Sequence, residues 1–207
     1  MDLGLTNRTV VVLGRIERSG LSNFKCLAEE KARVVMSARK GERLDQALVN
    51  VRQINPIAMA LPIDLRSAEA MDAGETSIRE LKPDILLQQR GPPPGSAAAS
   101  GLENWRQQFD VMVLNQIRCV RAALPSMLEK KWGRILIIAS SGIIAPIPNL
   151  VISNSLRSAL VAFAKTRLRL RDPESLSTPS SPDGSRRRVW RNLIKLLLIA
   201  KSPMPQA

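Results

Sequence analysis

Short apolar runs alternate with longer amphipathic segments along the first 170 residues or so of the chain. The runs are rich in Val, Ile and Leu, which is typical of strands buried on both faces of a parallel sheet. Five strands are predicted, at residues 9–13, 33–37, 57–61, 84–87 and 134–139. Each is followed by a segment long enough to return as a helix, so the pattern predicts consecutive βαβ units.

The segments between the strands have the period of amphipathic helices. Five helices are predicted, at residues 21–30, 42–53, 68–81, 102–124 and 151–169. In the second of them Leu44, Leu48 and Val51 recur at i, i+4 and i+7, which gathers them on one face. Ser67 is the predicted N-cap of the third helix. Pro125 is predicted to end the fourth, because a proline removes a helical hydrogen bond. The fold class that follows is α/β, a Rossmann-type doubly wound parallel sheet.

The pattern changes after residue 171. Residues 173–188 are rich in Ser, Pro and Arg, which is typical of a linker or a disordered stretch. Residues 189–201 are cationic and apolar and predict one terminal helix. Three interpretations stay open for this tail: it lies on an anionic membrane, docks on the sheet edge, or is an unstructured remnant. We therefore predict a Rossmann-like dinucleotide-binding domain over residues 1–171. We predict a disordered linker and basic tail over residues 172–207, which leaves the sheet truncated or degenerate at its C-terminus.

Two absences in the composition exclude whole classes of site. The 207 residues contain no His and no Tyr. Without His there is no Ser-His-Asp or Cys-His machinery and no His-ligated metal. The two cysteines, Cys26 and Cys119, are too few for a Cys₄ zinc site or a disulfide scaffold. The composition predicts no bound metal and a reduced, cytoplasmic setting, and no signal peptide is visible at Met1.

The positive charge is concentrated near the end of the chain. Of the net charge of +13, residues 1–164 supply 21 basic against 15 acidic groups, and residues 165–207 supply 10 against 3. Arg186-Arg187-Arg188 is one cluster without interleaved aromatic residues. Nucleic acid and a membrane surface are therefore not the partners that we expect.

Candidate cofactor residues follow the first two predicted strands. A dinucleotide in a doubly wound sheet sits over the first βα turn, which here runs from Gly14 to Gly20. Arg39 follows the second strand, where an arginine pairs with a 2′-phosphate and favours NADP over NAD. A solvated surface charge explains Arg39 equally well at this point.

Residues 4–166 contain a series of short motifs, each present once, in a fixed order. They are Ala32-Arg33-Val34-Val35 with Arg39, Asp64-Leu65, Pro83-Asp84-Ile85-Leu86, Gly91-Pro92-Pro93-Pro94-Gly95, Trp105, Leu124-Pro125-Ser126-Met127, Trp132-Gly133-Arg134-Ile135, Ser140-Ser141 and Pro146-Ile147-Pro148-Asn149-Leu150. In these motifs the chain resembles the short-chain dehydrogenase/reductase family. It is most similar to a divergent branch near the 3-oxoacyl-carrier-protein reductases.

The resemblance implies an NAD(P)-dependent oxidoreductase that moves a hydride to or from a small-molecule carbonyl or alcohol and assembles as a homo-oligomer. The family's spacing assigns catalytic positions to Ser140, Ser153 and Arg157. The cofactor-binding positions that we predict are Gly14, Gly20, Arg39, Asp64, Leu65 and Gly91. The predicted cofactor is NADP, with NAD as the alternative, and the substrate is not named by the sequence.

Several positions depart from the family's pattern. Ser153 stands where the family has its acid/base Tyr, and Arg157 stands where it has Lys. The remaining departures are Arg18 at the middle glycine, Gln88-Gln89-Arg90-Gly91 for Asn-Asn-Ala-Gly, and Met112 for the helix Asn, with Asn115 one turn later. A serine hydroxyl is a far weaker acid than a phenol, and an arginine stays protonated, so proton exchange at this site is impaired.

Alternatives to a working enzyme therefore stay open. Ser153 and Arg157 equally fit the polar, partly exposed start of a helix. One alternative function is that of a catalytically inactive relative that acts as a binding or scaffold subunit. Another is that residues from about 167 onward come from a shifted reading frame, since the family's later strands and substrate-binding helix are not recognisable there.

Overall fold

In the computed structural model, six strands form one parallel sheet, and the structure describes residues 3–14, 16, 19–89, 91–92, 101–169 and 194–201. The strands are β1 (Thr9–Gly14), β2 (Arg33–Ala38), β3 (Met59–Pro62), β4 (Ile85–Gln89), β5 (Gly133–Ser140) and β6 (Ile194–Lys201). The helices are α1 (Ser19–Glu29), α2 (Glu42–Arg52), α3 (Ala68–Leu81), α4 (Leu102–Phe109), α5 (Asn115–Glu129) and α6 (Val151–Arg169). No helix of this described part is long and apolar enough to cross a membrane.

The strand order is β3-β2-β1-β4-β5-β6, so the direction of winding reverses between β1 and β4. These two strands pair in parallel, with Leu13 beside Gln88 and Gly14 beside Gln89. The reversal opens a crevice at the carboxyl ends of the central strands, which is where such sheets bind ligands. The predicted doubly wound parallel sheet is confirmed.

Two apolar layers hold the helices to the two faces of the sheet. Alternate β1 residues point to opposite sides: Val10 and Val12 pack with Phe24 of α1, whereas Val11 packs with Met71 of α3. All five side chains are fully buried. Because both faces of the strands are buried, the strands read as continuous apolar runs, as the sequence pattern indicated.

The prediction that Pro125 ends a helix is wrong. Helix α5 runs through it to Glu129, and a π-helical turn (Asp110–Leu114) joins α4 to α5. A proline at 125 removes the helical donor only from the carbonyl of Arg121, and both residues lie on the exposed side of the helix, where a freed carbonyl costs least. Met127, which is fully buried, anchors the helix to the core beyond the proline.

The prediction of a terminal helix over residues 189–201 is also wrong for residues 194–201, which are the part of this range that the structure describes. Residues Ile194–Lys201 form β6, which pairs in parallel with β5 from Gly133 to Ser140. Segments of alternating or continuous aliphatic residues suit a strand as well as a helix, and the open edge of β5 decides between them. The predicted linker lies outside the described residues, and the boundary at residue 171 stays a prediction.

A chain that ends at Arg171 is expected to melt at a lower temperature than the full chain. Removing β6 deprives β5 of a partner along its whole length and exposes the strand's edge. Differential scanning calorimetry measures the change, and co-sedimentation of both chains with anionic vesicles is expected to show no binding. An unchanged melting temperature would show that β6 adds nothing to the stability of the domain.

Candidate active site

The predicted catalytic residues lie at the carboxyl end of the sheet, on two neighbouring elements. Ser140 is the last residue of β5, and Ser153 and Arg157 are one turn apart on α6. The spacing of four residues places both side chains on the same face of the helix. Gly91 follows the end of β4, the strand that pairs with β5.

The guanidinium of Arg157 joins these elements. Its Nε donates to Ser153 Oγ at 3.1 Å, and its Nη1 donates to the backbone carbonyl of Ile138 on β5 at 2.5 Å. Its Nη2 lies so close to Gly91 that a Cβ built there would be 2.5 Å away. A side chain at this position would have to displace the guanidinium, and a glycine leaves it in place. The structure thus brings together Ser153, Arg157 and Gly91.

Arg157 is a cation whose hydrogen-bond partners are neutral groups. Its two hydrogen-bond acceptors are a hydroxyl and a carbonyl, and burial lowers the pKa of Arg157 from its usual value. An arginine remains charged despite such a shift. Since the hydroxyl oxygen of Ser153 accepts from Arg157, the O–H of Ser153 is left to donate to another acceptor. The guanidinium of Arg157 would stabilise negative charge on an oxygen bound beside it.

Ser140 has a structural contact of its own. Its Oγ accepts from the N–H of Gly142 at 3.2 Å and so caps the short 3₁₀ turn (Ser141–Ile143) that leaves β5. Within the described part of the chain, Ser140 makes no hydrogen bond to Ser153 or Arg157. The structure therefore places Ser140 on the same edge of the sheet without joining it to the Arg157 group.

The predicted cofactor residues at the other strands lie along the same edge. Gly14 ends β1 in a buried position, and Gly20 lies in the first turn of α1. Arg39 is exposed directly after β2 and, among the described residues, makes no hydrogen bond or ion pair. Asp64 and Leu65 follow β3: the Asp64 carboxylate accepts from the N–H of Arg66 at 3.0 Å, and Leu65 is buried.

Two polar contacts at this edge were missed by the sequence reasoning. Gln88 of β4 is 1% exposed, and its Nε2 donates to the carbonyl of Gln116 at 2.8 Å. Its Oε1 is the buried side-chain oxygen that has no partner within the described part of the chain. Asn115 donates to the carbonyl of Leu65 at 2.8 Å. The signal for Gln88 was its place at the head of the Gln88-Gln89-Arg90-Gly91 stretch.

Other candidate groups do not join the site. Met112, at the position of the family's helix Asn, is 2% exposed in the π-helical turn and packs with Ile152 and Leu156 of α6. Burial raises the pKa of the Cys119 thiol to about 12, so this cysteine is a core residue and not a nucleophile. The described residues contain no group of acidic or sulfur side chains that would hold a metal ion. Arg18 and Arg90 lie outside them.

A parallel sheet of order β3-β2-β1-β4-β5-β6, with a crevice where the winding reverses between β1 and β4, defines the Rossmann-type class of α/β proteins. A family model described as short chain dehydrogenase matches residues 8–170. The chain belongs to the short-chain dehydrogenase/reductase family, as the motifs indicated.

Relatives of known name support the same membership. The uncharacterized oxidoreductase YvrD of Bacillus subtilis is 29% identical over 167 residues, which are 80% of this chain and 63% of that protein. The ketoacyl reductase HetN of a Nostoc species is 30% identical over 139 residues, 66% of this chain and 48% of that protein. The chain therefore spans about half to just under two thirds of the length of these two relatives.

A solved structure is similar in both fold and sequence. It is the L-sorbose reductase from Gluconobacter frateurii, complexed with NADPH and L-sorbose. The TM-score is 0.73 at 26% identity, and the match covers 81% of this chain and 65% of that one. A second, described as a putative betaketoacyl-ACP reductase, has a TM-score of 0.74 at 20% identity and covers 95% of this chain and 97% of that one, a likeness of fold.

Proposed function

We propose that this chain is the nucleotide-binding core of an NADP-dependent oxidoreductase that acts on a carbonyl or alcohol group of a small molecule. The observation that carries the proposal is the contact of Arg157 with Ser153, Ile138 and Gly91 at the carboxyl end of β4 and β5. A cation held there by neutral groups is placed to bind hydroxyl or carbonyl oxygens of a ligand in the crevice.

The residues along this edge fit a phosphorylated dinucleotide. Arg39 is an exposed guanidinium without a protein partner among the described residues, at the end of the strand where a 2′-phosphate is bound. Gly14, Gly20, Asp64, Leu65 and Gly91 are the other residues that we assign to cofactor binding. The absence of a side chain at Gly91 leaves room for the guanidinium of Arg157 at the end of β4. When bound, the nicotinamide supplies or accepts the hydride.

The chain's own residues orient the substrate more than they exchange its proton. The hydroxyl of Ser153 donates a hydrogen bond to the substrate oxygen, and Arg157 stabilises the negative charge that develops on it. Neither group gives up a proton easily near neutral pH, so water supplies the proton to the product alcohol. We expect slow turnover, and we assign to Ser140 the shaping of the turn beside the site.

A catalytically inactive relative that binds the cofactor as a subunit of an assembly is the second candidate. It is favoured by Met112, which is buried and apolar where the family has a polar side chain. NADPH binding without any measurable reduction of carbonyl compounds would support this candidate. The homo-oligomer and the frameshift hypothesis stay open beside it. Light scattering tests the first, and the nucleotide sequence beyond codon 167, read in the other frames, tests the second.

Wild-type protein is expected to bind NADPH more tightly than NADH, and replacing Arg39 by Asp is expected to remove the preference. The variant loses the ion pair between the guanidinium and the 2′-phosphate and places a carboxylate that repels the phosphate. Its affinity for NADPH is therefore expected to fall about tenfold or more. Titration of the nicotinamide fluorescence with both cofactors measures it. The matched control is Arg121→Asp, an exposed arginine of α5. Equal affinities for both cofactors in the wild type would contradict the role of Arg39.

A further inference from the structure

The candidate site has an apolar wall, which is the segment that leads from β5 into α6, and the sequence of this segment carries no charge. Residues 135–156, which join β5 to α6 and include both Ser140 and Ser153, contain no Asp, Glu, Lys or Arg, although 24% of the chain is charged. Residues 91–102, between β4 and α4, contain none either. The first segment follows the carboxyl end of β5, and Gly91 and Pro92 follow that of the neighbouring strand β4, so these described positions adjoin the crevice.

The two most exposed large apolar side chains of the described residues stand in these segments. Ile144 is 82% exposed and follows β5, and Leu102 is 76% exposed at the start of α4. Trp105 of α4 and Val151 of α6 pack on one shared apolar cluster, which ties the starts of the two helices together. Ile144 and Leu102 therefore present apolar surface to solvent on the side of the molecule that carries Arg157.

The segment that carries Ile144 is held in place by hydrogen bonds. The N–H groups of Ile144 and Ala145 both donate to the carbonyl of Ser141, at 2.9 and 3.1 Å. Asn154 of α6 donates through Nδ2 to the carbonyl of Ile147 at 2.9 Å. The exposure of Ile144 is thus built into a defined turn, and an apolar group of a ligand that covered it would gain free energy.

The charged group of the site is already partly engaged by the protein. Paired recognition of a carboxylate needs two neighbouring guanidinium nitrogens that both donate to it. Two of the three nitrogens of Arg157 already donate, to Ser153 and to Ile138, so each side of the guanidinium includes a nitrogen in use. What the site offers a substrate is one hydroxyl, one partly used cation and an apolar wall.

We infer that the substrate is an uncharged, apolar ketone, with an alkyl or aryl group next to the carbonyl and with neither carboxylate nor several hydroxyls, and that Ile144 selects for it. In the reduction, the carbonyl carbon gains the hydride and the oxygen gains a proton from water, while NADPH is oxidised to NADP⁺. This inference rests on the proposed function, because it concerns the same site.

The test compares four ketones on the full-length protein saturated with NADPH. The probes are 2-octanone, 2-butanone, 2-oxooctanoate and L-sorbose, and binding is followed by the melting temperature and by tryptophan fluorescence, so no turnover is required. We expect 2-octanone to bind about tenfold more tightly than 2-butanone, because its longer chain covers apolar surface. We expect the affinity for 2-octanone to exceed that for 2-oxooctanoate, which has a carboxylate next to the carbonyl, by at least about tenfold as well. With L-sorbose we expect no shift of the melting temperature.

A matched pair of variants locates the effect. Ile144→Glu is expected to weaken 2-octanone binding about tenfold. The control Ile57→Glu changes an isoleucine that is 52% exposed just before β3, at the opposite edge of the sheet, and is expected to leave it unchanged. Both variants are expected to bind NADPH as the wild type does.

Distinct failures identify which inference is wrong. Preference for 2-oxooctanoate or L-sorbose, with NADPH still bound, would overturn the apolar substrate and leave the proposed function intact. An Ile144→Glu variant that changes the sedimentation coefficient but not 2-octanone binding would make this surface a contact between copies of the chain, which also overturns it. No NADPH binding by the wild type would remove the proposed function and this inference with it.

Discussion

Replacing Ser153 by Tyr together with Arg157 by Lys is expected to raise the rate of NADPH-dependent ketone reduction about 10²–10⁴-fold, the usual contribution of a positioned general acid. A phenol ionises near pH 10, and an adjacent ammonium favours its phenolate, so the pair exchanges a proton much closer to neutrality than the serine hydroxyl does. Stopped-flow loss of nicotinamide absorbance with 2-octanone measures the rate.

The two substitutions belong together for a steric reason. Ser153 is 8% exposed, and Arg157 Nε lies 3.1 Å from its hydroxyl, so a tyrosine alone would meet the guanidinium. A lysine lacks the branched head that occupies the space beside Gly91. The single variants are therefore expected to gain less than the pair.

Controls separate the site from the mere presence of a tyrosine. Ser155→Tyr places a phenol two residues away on an exposed position of α6 and is expected to leave the rate unchanged. If the pair shows no gain while NADPH still binds, the defect lies elsewhere, and Met112→Asn added to the pair is the next variant to measure.

Replacing Asp84 by Ala is expected to lower the free energy of unfolding by about 2–3 kcal/mol, because it leaves a buried donor without its acceptor. Asp84 is 6% exposed at the amino end of the sheet, where its Oδ2 accepts from the N–H of Thr9 at 2.9 Å. Its Oδ1 lies 3.1 Å from Lys130 Nζ and 3.5 Å from Arg8 Nη1. One carboxylate thus links β1 to the start of β4 and to the end of α5.

Urea unfolding followed by tryptophan fluorescence measures the loss, with two variants for comparison. Asp84→Asn keeps an acceptor for the buried N–H of Thr9 but loses the charge and turns an NH₂ donor toward Lys130 and Arg8. Because the buried N–H stays paired, its cost is expected to be smaller than that of Asp84→Ala. Asp72→Ala removes a carboxylate that is 75% exposed and paired with Arg118, a surface ion pair worth well under about 1 kcal/mol. Equal losses for Asp84→Ala and Asp72→Ala would contradict the account of Asp84 as a buried link.

Local pattern was sufficient for most of the central fold. The apolar runs located the first five strands to within two residues at each end, because a strand buried on both faces must be apolar throughout. Pro125 does not end its helix, since the penalty for a proline in a helix depends on whether the freed carbonyl reaches water. Residues 194–201 form a strand and not a helix, since a short aliphatic segment fits either structure and the open edge of β5 selects the strand.

The order of motifs along the sequence determined the family and the strand that each candidate residue follows. Only the tertiary structure decided which of those residues meet. It joined Arg157 to Ser153, Gly91 and the Ile138 carbonyl, and it left Ser140 to cap a turn. The physical reason is that a hydrogen bond depends on distances of a few tenths of an ångström between atoms far apart in sequence. Spacing along one helix predicts the Ser153–Arg157 contact, but contacts between β4, β5 and α6 depend on how the layers pack.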